Sequence, residues 1–186
     1  MFAPLKKLQD GTMYAKNTSN DNMILLKNVR IEGTFDESEN VTLVICDSTL
    51  INSADASVCS YAKANSTEWF GKDLSEKTLN AAFTQSVRDD SMIVQKASKR
   101  GSSVVRVFNH DKTTSSTDQL TDGILCDVYV EMSGVQFFKR TYGIVWKIVQ
   151  VRLKPTPKPK RNRYTDECLF QEEEEEEDNE SDEDDM

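Results

Sequence analysis

The stretch Val135-Gln136-Phe137-Phe138-Lys139-Arg140-Thr141-Tyr142-Gly143-Ile144-Val145-Trp146-Lys147-Ile148-Val149-Gln150-Val151-Arg152-Leu153-Lys154 reads as a β-hairpin. Two runs rich in β-branched and aromatic residues flank an Arg-Thr-Tyr-Gly break. Side chains alternate between the two faces of a strand. In the second run Val145, Lys147, Val149, Val151 and Leu153 share one face, and Ile144, Trp146, Ile148, Gln150 and Arg152 share the other. Both faces are mixed, so alternation alone does not say which is buried. Aromatic residues also interleave with cations at Phe137, Phe138, Lys139, Arg140, Tyr142, Trp146, Lys147 and Arg152. This pairing suits a single-stranded nucleic acid: bases stack on aromatic faces at about 1–3 kcal/mol each, while Lys and Arg neutralise phosphates. Phe137, Tyr142 and Trp146 have a second reading as core residues, because large aromatics are mostly buried in folded proteins.

Upstream of the hairpin the pattern is again strand-like. In Met23–Phe35, Leu25, Val29, Ile31 and Phe35 alternate with Asn28, Arg30, Glu32 and Thr34. Val41–Ile51, Met92–Ala97, Val104–Phe108 and Ile124–Met132 are further strand-like runs, and Val135–Phe138 and Gly143–Leu153 are the hairpin's two. A helix is expected from Asp73, with Glu76 in capping-box spacing and Leu79, Ala82, Phe83 and Val87 at helical spacing. Residues 52–72, dominated by Ser, Ala and Asn, fit no single element, and His110–Gly123 reads as a polar loop. The chain is therefore expected to be mainly β, a barrel or a sandwich, with one helix between strands. The domain spans residues 23–153 on this reading, and residues 1–22 form a loosely ordered leader.

Downstream the charge changes abruptly. Lys139 to Arg163 holds nine basic residues and no acid, with Lys154 at the head of a Pro-rich stretch. Proline removes backbone donors, so residues 154–165 are expected to be a basic linker outside the fold. Residues 166–186 carry fourteen acidic side chains and no Lys or Arg, and are expected to be a disordered tail. Its centre is the run Glu172, Glu173, Glu174, Glu175, Glu176 and Glu177. The chain as a whole is net −9, but residues 1–165 hold 23 Lys/Arg against 18 Asp/Glu. A basic body beside an acidic tail suits a polyanion ligand, with the tail as competitor for the same groove and recruiter of partners. Ser181, set among acids, fits an acid-directed kinase.

Catalytic signatures are missing from the sequence. It holds no P-loop, dinucleotide fingerprint, H-E-x-x-H or G-x-S-x-G motif, and its single histidine, His110, lies in a polar stretch. Neither a catalytic residue nor a metal or other cofactor is expected. Cys46, Cys59, Cys126 and Cys168 lack metal-ligand spacing and are expected to be reduced thiols. No apolar run approaches the roughly 18 residues of a membrane span, and the N-terminus lacks a signal-peptide core. An intracellular protein that is neither secreted nor membrane-bound is expected.

The segment Gly134-Val-Gln-Phe-Phe-Lys-Arg-Thr-Tyr-Gly-Ile-Val-Trp-Lys-Ile-Val-Gln-Val resembles the closing part of single-stranded DNA-binding proteins of large eukaryotic double-stranded DNA viruses. The shared features are an aromatic strand, a turn ending in Tyr-Gly, and a strand of the form Ile-x-Trp-Lys-Ile-x-Gln. The resemblance implies an OB-like β-barrel that coats single strands in DNA replication, recombination or repair. It would place Phe138, Lys139, Tyr142, Trp146 and Lys147 near the DNA groove, and the protein in the nucleus or at a viral replication site. Many such tails finish in an aromatic or other apolar residue, whereas this chain ends Asp184-Asp185-Met186. The expected partners are single-stranded DNA or RNA at the groove, bordered also by Arg140, Arg152 and Lys154, and replication proteins at the tail. The competing reading is an acidic-tailed interaction protein or histone-type chaperone with an oligomerising β body, which has no need of the nine cations at 139–163.

Overall fold

The computed structural model describes residues 2–155, apart from 34, 36–38, 100 and 101. Five strands close into a ring: β1 (Met23–Glu32), β2 (Asn40–Val44), β3 (Ser91–Lys96), β4 (Leu125–Phe137) and β5 (Tyr142–Leu153). The ring order is β1-β2-β3-β5-β4, returning to β1, and only the β3–β5 junction is parallel. This order makes an OB-like barrel rather than a sandwich, and closure leaves the five strands no open sheet edge. Beyond β3, the same edge of β5 is lined in parallel by Phe83–Thr84 and by Arg106–Phe108.

Bulges decide which side chains enter the core. On β5, Val149 is unpaired between the Tyr129–Gln150 and Val130–Ile148 pairs. One extra residue flips the alternation. Trp146 and Ile148 are therefore buried before the bulge, and Val151 and Leu153 after it. That switch is why each face looked mixed when the strand was read at a constant period of two. On β4, Ser133 is the extra residue between the Met132–Trp146 and Gly134–Val145 pairs. The runs Ile124–Met132 and Val135–Phe138, expected as separate strands, are thus one strand with a bulge between them. A third bulge lies in β1, where the register shifts against Cys126 and Val128 and Asn28 takes φ 55°.

Two cores result. The barrel core includes Leu26, Val29, Ile31, Leu43, Met92, Val94, Val128, Val130, Trp146, Ile148 and Val151. The hairpin runs on past the barrel, and Val135, Phe137 and Tyr142 join a second core with Ala15, Val58, Ala62, Trp69 and Leu79. The second core is roofed by α1 (Thr49–Ala64), α2 (Ser66–Phe70) and α3 (Glu76–Ala82). Its rings meet edge to face, Trp69 on Phe137 at 5.1 Å and Phe70 on Tyr142 at 5.3 Å, while Phe137 stacks on Tyr142 at 5.9 Å.

One main helix, α1, lies between β2 and β3, but it occupies the stretch the sequence left ambiguous. The second strand ends at Val44, not Ile51. The helix expected from Asp73 is the short α3, and Ser75 rather than Asp73 caps it, accepting from the Thr78 N–H. Asp73 instead pairs with Lys63 at 2.9 Å. Val87 lies outside α3, in the strand Val87–Arg88 beside β3. Asp89 and Asp90, at φ 49° and 60°, make the tight turn between that strand and β3.

The N-terminal segment is docked, contrary to the expected loose leader. Lys6–Lys7 pairs with Met13–Lys16, which pairs in turn with the far end of β4. Phe2 packs on Tyr61 and Trp69, with centroids at 5.0 and 5.4 Å. Gly134 makes this docking possible: a Cβ there would overlap the Ala15 carbonyl and lie 2.6 Å from the Tyr14 ring. Linker residues 156–165 and the tail, with Glu172 to Glu177 and Ser181, lie outside the described residues.

Candidate nucleic-acid interface

The outward side chains of β2 and β3 and the first half of β5 form the floor of a cleft of about 460 Å³. Thr42 pairs across to Ile93, and Asn40 to Gln95, which pairs in turn with Lys147. Gln85 and Arg88 line one part of the cleft, and Gln136 and Phe138 another. Its lining is mainly amide, hydroxyl and aliphatic, with one acid, Glu32, and one cation, Arg88. Ile93 and Phe138 are 68% and 55% exposed, an unusual state for large apolar side chains flanking one concavity. Phe138 sits in the β4–β5 turn, which the Phe138 N–H closes on the Thr141 carbonyl at 2.8 Å. Lys139 and Arg140 follow on the same turn, exposed and without an ion pair among the described residues.

The residues expected from the sequence divide into three groups. Phe138 lines the cleft, Lys139 and Arg140 follow it on the turn and line the neighbouring depression beside Phe70 and Thr78, and Lys147 points outward next to Gln95, half-buried. Tyr142 and Trp146 do not join them. They are 1% and 2% exposed, so neither offers the free ring face that base stacking needs. The Trp146 Nε1–H donates to the Ser86 hydroxyl at 2.8 Å, and Ser86 donates from both its N–H and its hydroxyl to the buried Asp55. Burial raises the Asp55 pKa against the pull of these bonds. This chain ties α1 to the barrel, a structural role.

Arg152 and Lys154 form the third group, at the opposite end of β5. Both hold the buried Asp127, at 2.7 and 2.8 Å, and the Asn28 N–H also donates to it at 3.1 Å. Burial would raise the Asp127 pKa, but the Arg152 and Lys154 contacts and the Asn28 N–H outweigh that and hold it below the usual carboxylate value. Two cations on one carboxylate leave one net positive charge there.

The sequence reading missed Ile93, Gln95, Arg88 and Gln136. Ile93 sits inside the apolar run Met92-Ile93-Val94, part of the strand-like run Met92–Ala97. The signal was the alternation of Ser91, Ile93 and Gln95 with Met92 and Val94, of which only the latter pair is buried.

Among solved structures the chain is similar to the single-stranded DNA-binding protein of bacteriophage Enc34. In its complex with single-stranded DNA the TM-score is 0.43 at 12% identity, covering 85% of this chain and 97% of the phage protein. For the free phage protein the TM-score is 0.46 at 12% identity, covering 89% and 96%. A C-terminal truncation gives 0.46 at 10% identity, covering 85% and 97%. No curated protein matches the sequence. Residues 27–172, from within the first barrel strand into the acidic tail, match a family model, and the chain belongs to that family of unknown function, DUF5871.

Proposed function

We propose that the protein binds single-stranded DNA, without strong sequence preference, in the cleft across β2, β3 and β5. One observation carries this reading: two solvent-exposed apolar side chains, Ile93 and Phe138, line one cleft with Arg88, while Lys139 and Arg140 follow Phe138 on its turn and Lys147 pairs with Gln95 of the cleft floor. Phe138 supplies a ring face for a base, and the cations supply phosphate contacts. The amides of Gln85, Gln95 and Gln136 both donate and accept, so they suit any base edge. No catalytic step is assigned.

On the same reading the acidic tail competes with DNA for the cleft and recruits replication proteins. A tethered polyanion acts at high effective concentration, so it lowers the apparent DNA affinity by the fraction of time it blocks the site. Phosphorylation of Ser181 strengthens that competition. The setting is DNA replication, recombination or repair, in the nucleus or at a viral replication site.

The test is fluorescence anisotropy with a labelled oligothymidylate and a duplex of equal length at two salt concentrations. Single strand binds better than duplex, and log affinity falls with log salt by about 0.7 per phosphate neutralised. Phe138→Ala weakens binding about tenfold with an unchanged melting temperature. Deleting residues 166–186 tightens binding, most at low salt. Equal affinity for duplex, or no binding at low salt, overturns the reading.

A further inference from the structure

The second half of β5 presents a different outer surface. After the Val149 bulge, Gln150 and Arg152 point outward, and the sheet continues on both sides of them. One cross-strand row runs Leu25, Tyr129, Gln150, Arg106. The next runs Asp127, Arg152, Phe108. Apart from Arg106, these side chains and Lys112, from the turn after Phe108, line a depression of about 370 Å³, and the exposed Arg106 stands beside Gln150 at its margin. Tyr129 is 40% exposed and Phe108 half-buried, so both rings reach the surface.

The charge of this face is set by what Asp127 already holds. Arg152 and Lys154 neutralise it, whereas Arg106, Lys112 and Lys27 are exposed and form no ion pair among the described residues. Aromatic rings half open to solvent among unpaired cations match a base and its phosphate. An acidic peptide would use the cations but has no need of the rings.

From this arrangement we propose that the outer face of β1, β4, β5 and Arg106–Phe108 is a second single-strand contact. A base stacks on Tyr129 or Phe108, and phosphates lie on Arg106 and Lys112. The inference rests on the single-strand reading of the cleft and extends it. Strand β5 joins the two surfaces, with Lys147 pointing outward between them, so one DNA strand following β5 meets both.

The experiment measures anisotropy with oligothymidylates of roughly 4 and roughly 16 nucleotides, the range covered by one such barrel. Tyr129→Ala combined with Arg106→Ala lowers affinity for the longer oligonucleotide about tenfold and changes the shorter one less than about twofold. Phe138→Ala weakens both. Tyr129→Phe retains binding, because the ring is kept, and controls for folding together with the melting temperature. If the double variant binds the longer oligonucleotide as tightly as the wild type, the second contact is wrong, and loss of polyglutamate binding in that variant would assign the face to an acidic peptide. If the double variant weakens both lengths while Phe138→Ala weakens neither, this face stands and the cleft reading falls. A wild-type chain that binds neither length overturns both.

Discussion

Trp146 and Tyr142 lie four residues apart on one strand, both almost fully buried, and they serve two different cores. Trp146 is packed in the barrel, and its one polar atom is bonded to Ser86 and through it to Asp55. Tyr142 is packed among the rings beneath the helices, and its hydroxyl meets no partner at hydrogen-bond geometry, although it lies beside the weakly polar Cys59 thiol. The barrel core is thus mainly aliphatic and its one Trp is tied into a polar network, whereas the second core is centred on contacts among aromatic rings. The Ser133 bulge is where β4 passes from one to the other. An aromatic in a sequence pattern can be read as buried or stacking, but its partner atoms show what its removal costs.

The largest expected effect is on the barrel side. Trp146→Ala removes the biggest side chain of that core and leaves the Ser86 oxygen without its indole donor, while Ser86 still donates to Asp55. It should lower stability by about 3–5 kcal/mol, read from chemical denaturation. Single-strand binding measured below the new melting temperature should persist. A stable Trp146→Ala protein that fails to bind DNA would return Trp146 to the groove and break the comparison.

Gly134→Ala tests the junction. The added methyl group meets the Ala15 backbone, which cannot rotate away as a flexible side chain would. The cost should be about 1–3 kcal/mol, as for overpacking elsewhere. It should fall on the second core: hydrogen exchange should accelerate at Met13–Lys16 while the amides of β2 and β3 stay protected. Uniform loss of protection would show that the two cores unfold as one.

Asp127→Ala is expected to cost about 1–3 kcal/mol, because it orphans the Asn28 N–H and two cations. The sign of its pH dependence follows from the lowered pKa. A carboxylate whose folded pKa lies below its unfolded value stabilises the fold above about pH 4 and loses that contribution as pH falls further. The melting-temperature gap between wild type and variant should therefore be constant near neutrality and narrow below about pH 4. A gap independent of pH would mean that packing, not charge, explains the loss.

These sites also show what the sequence could reveal. The barrel strands were legible because their apolar residues alternate. The closing hairpin was legible as a hairpin but not as to its faces, because Val149 and Ser133 each reset the period and nothing in the sequence marks an unpaired residue. Helix α1 was hidden by its own core. Its buried positions Ile51, Asp55, Val58 and Ala62 have helical spacing, but a carboxylate and an alanine fill two of them. Asp55 is tolerated there only because Ser86, thirty-one residues away, donates to it twice. At the site, Phe138, Lys139 and Arg140 were found from local composition. Ile93 and Gln95 carried their signal in the alternation with Met92 and Val94, but alternation marks a solvent face without marking it as a site.

The smallest expected effect separates the two cores most sharply. A buried hydroxyl without a hydrogen bond costs about 1–3 kcal/mol relative to one that is bonded. Burial raises the Tyr142 pKa, so the ring stays neutral and its O–H gains nothing by ionising. Tyr142→Phe removes the hydroxyl and keeps every ring contact, with Phe70, Phe83 and Phe137 unchanged. Stability should stay the same or rise by up to about 1 kcal/mol. Trp146→Phe, the matching change in the barrel, also keeps a ring but abolishes the bond to Ser86, and should destabilise. Denaturant unfolding of the two variants side by side gives the comparison directly. If Tyr142→Phe instead costs more than about 1 kcal/mol, the hydroxyl is bonded after all, with the Cys59 thiol as its partner. Cys59→Ala in wild type would then cost about as much, and in the Tyr142→Phe background almost nothing.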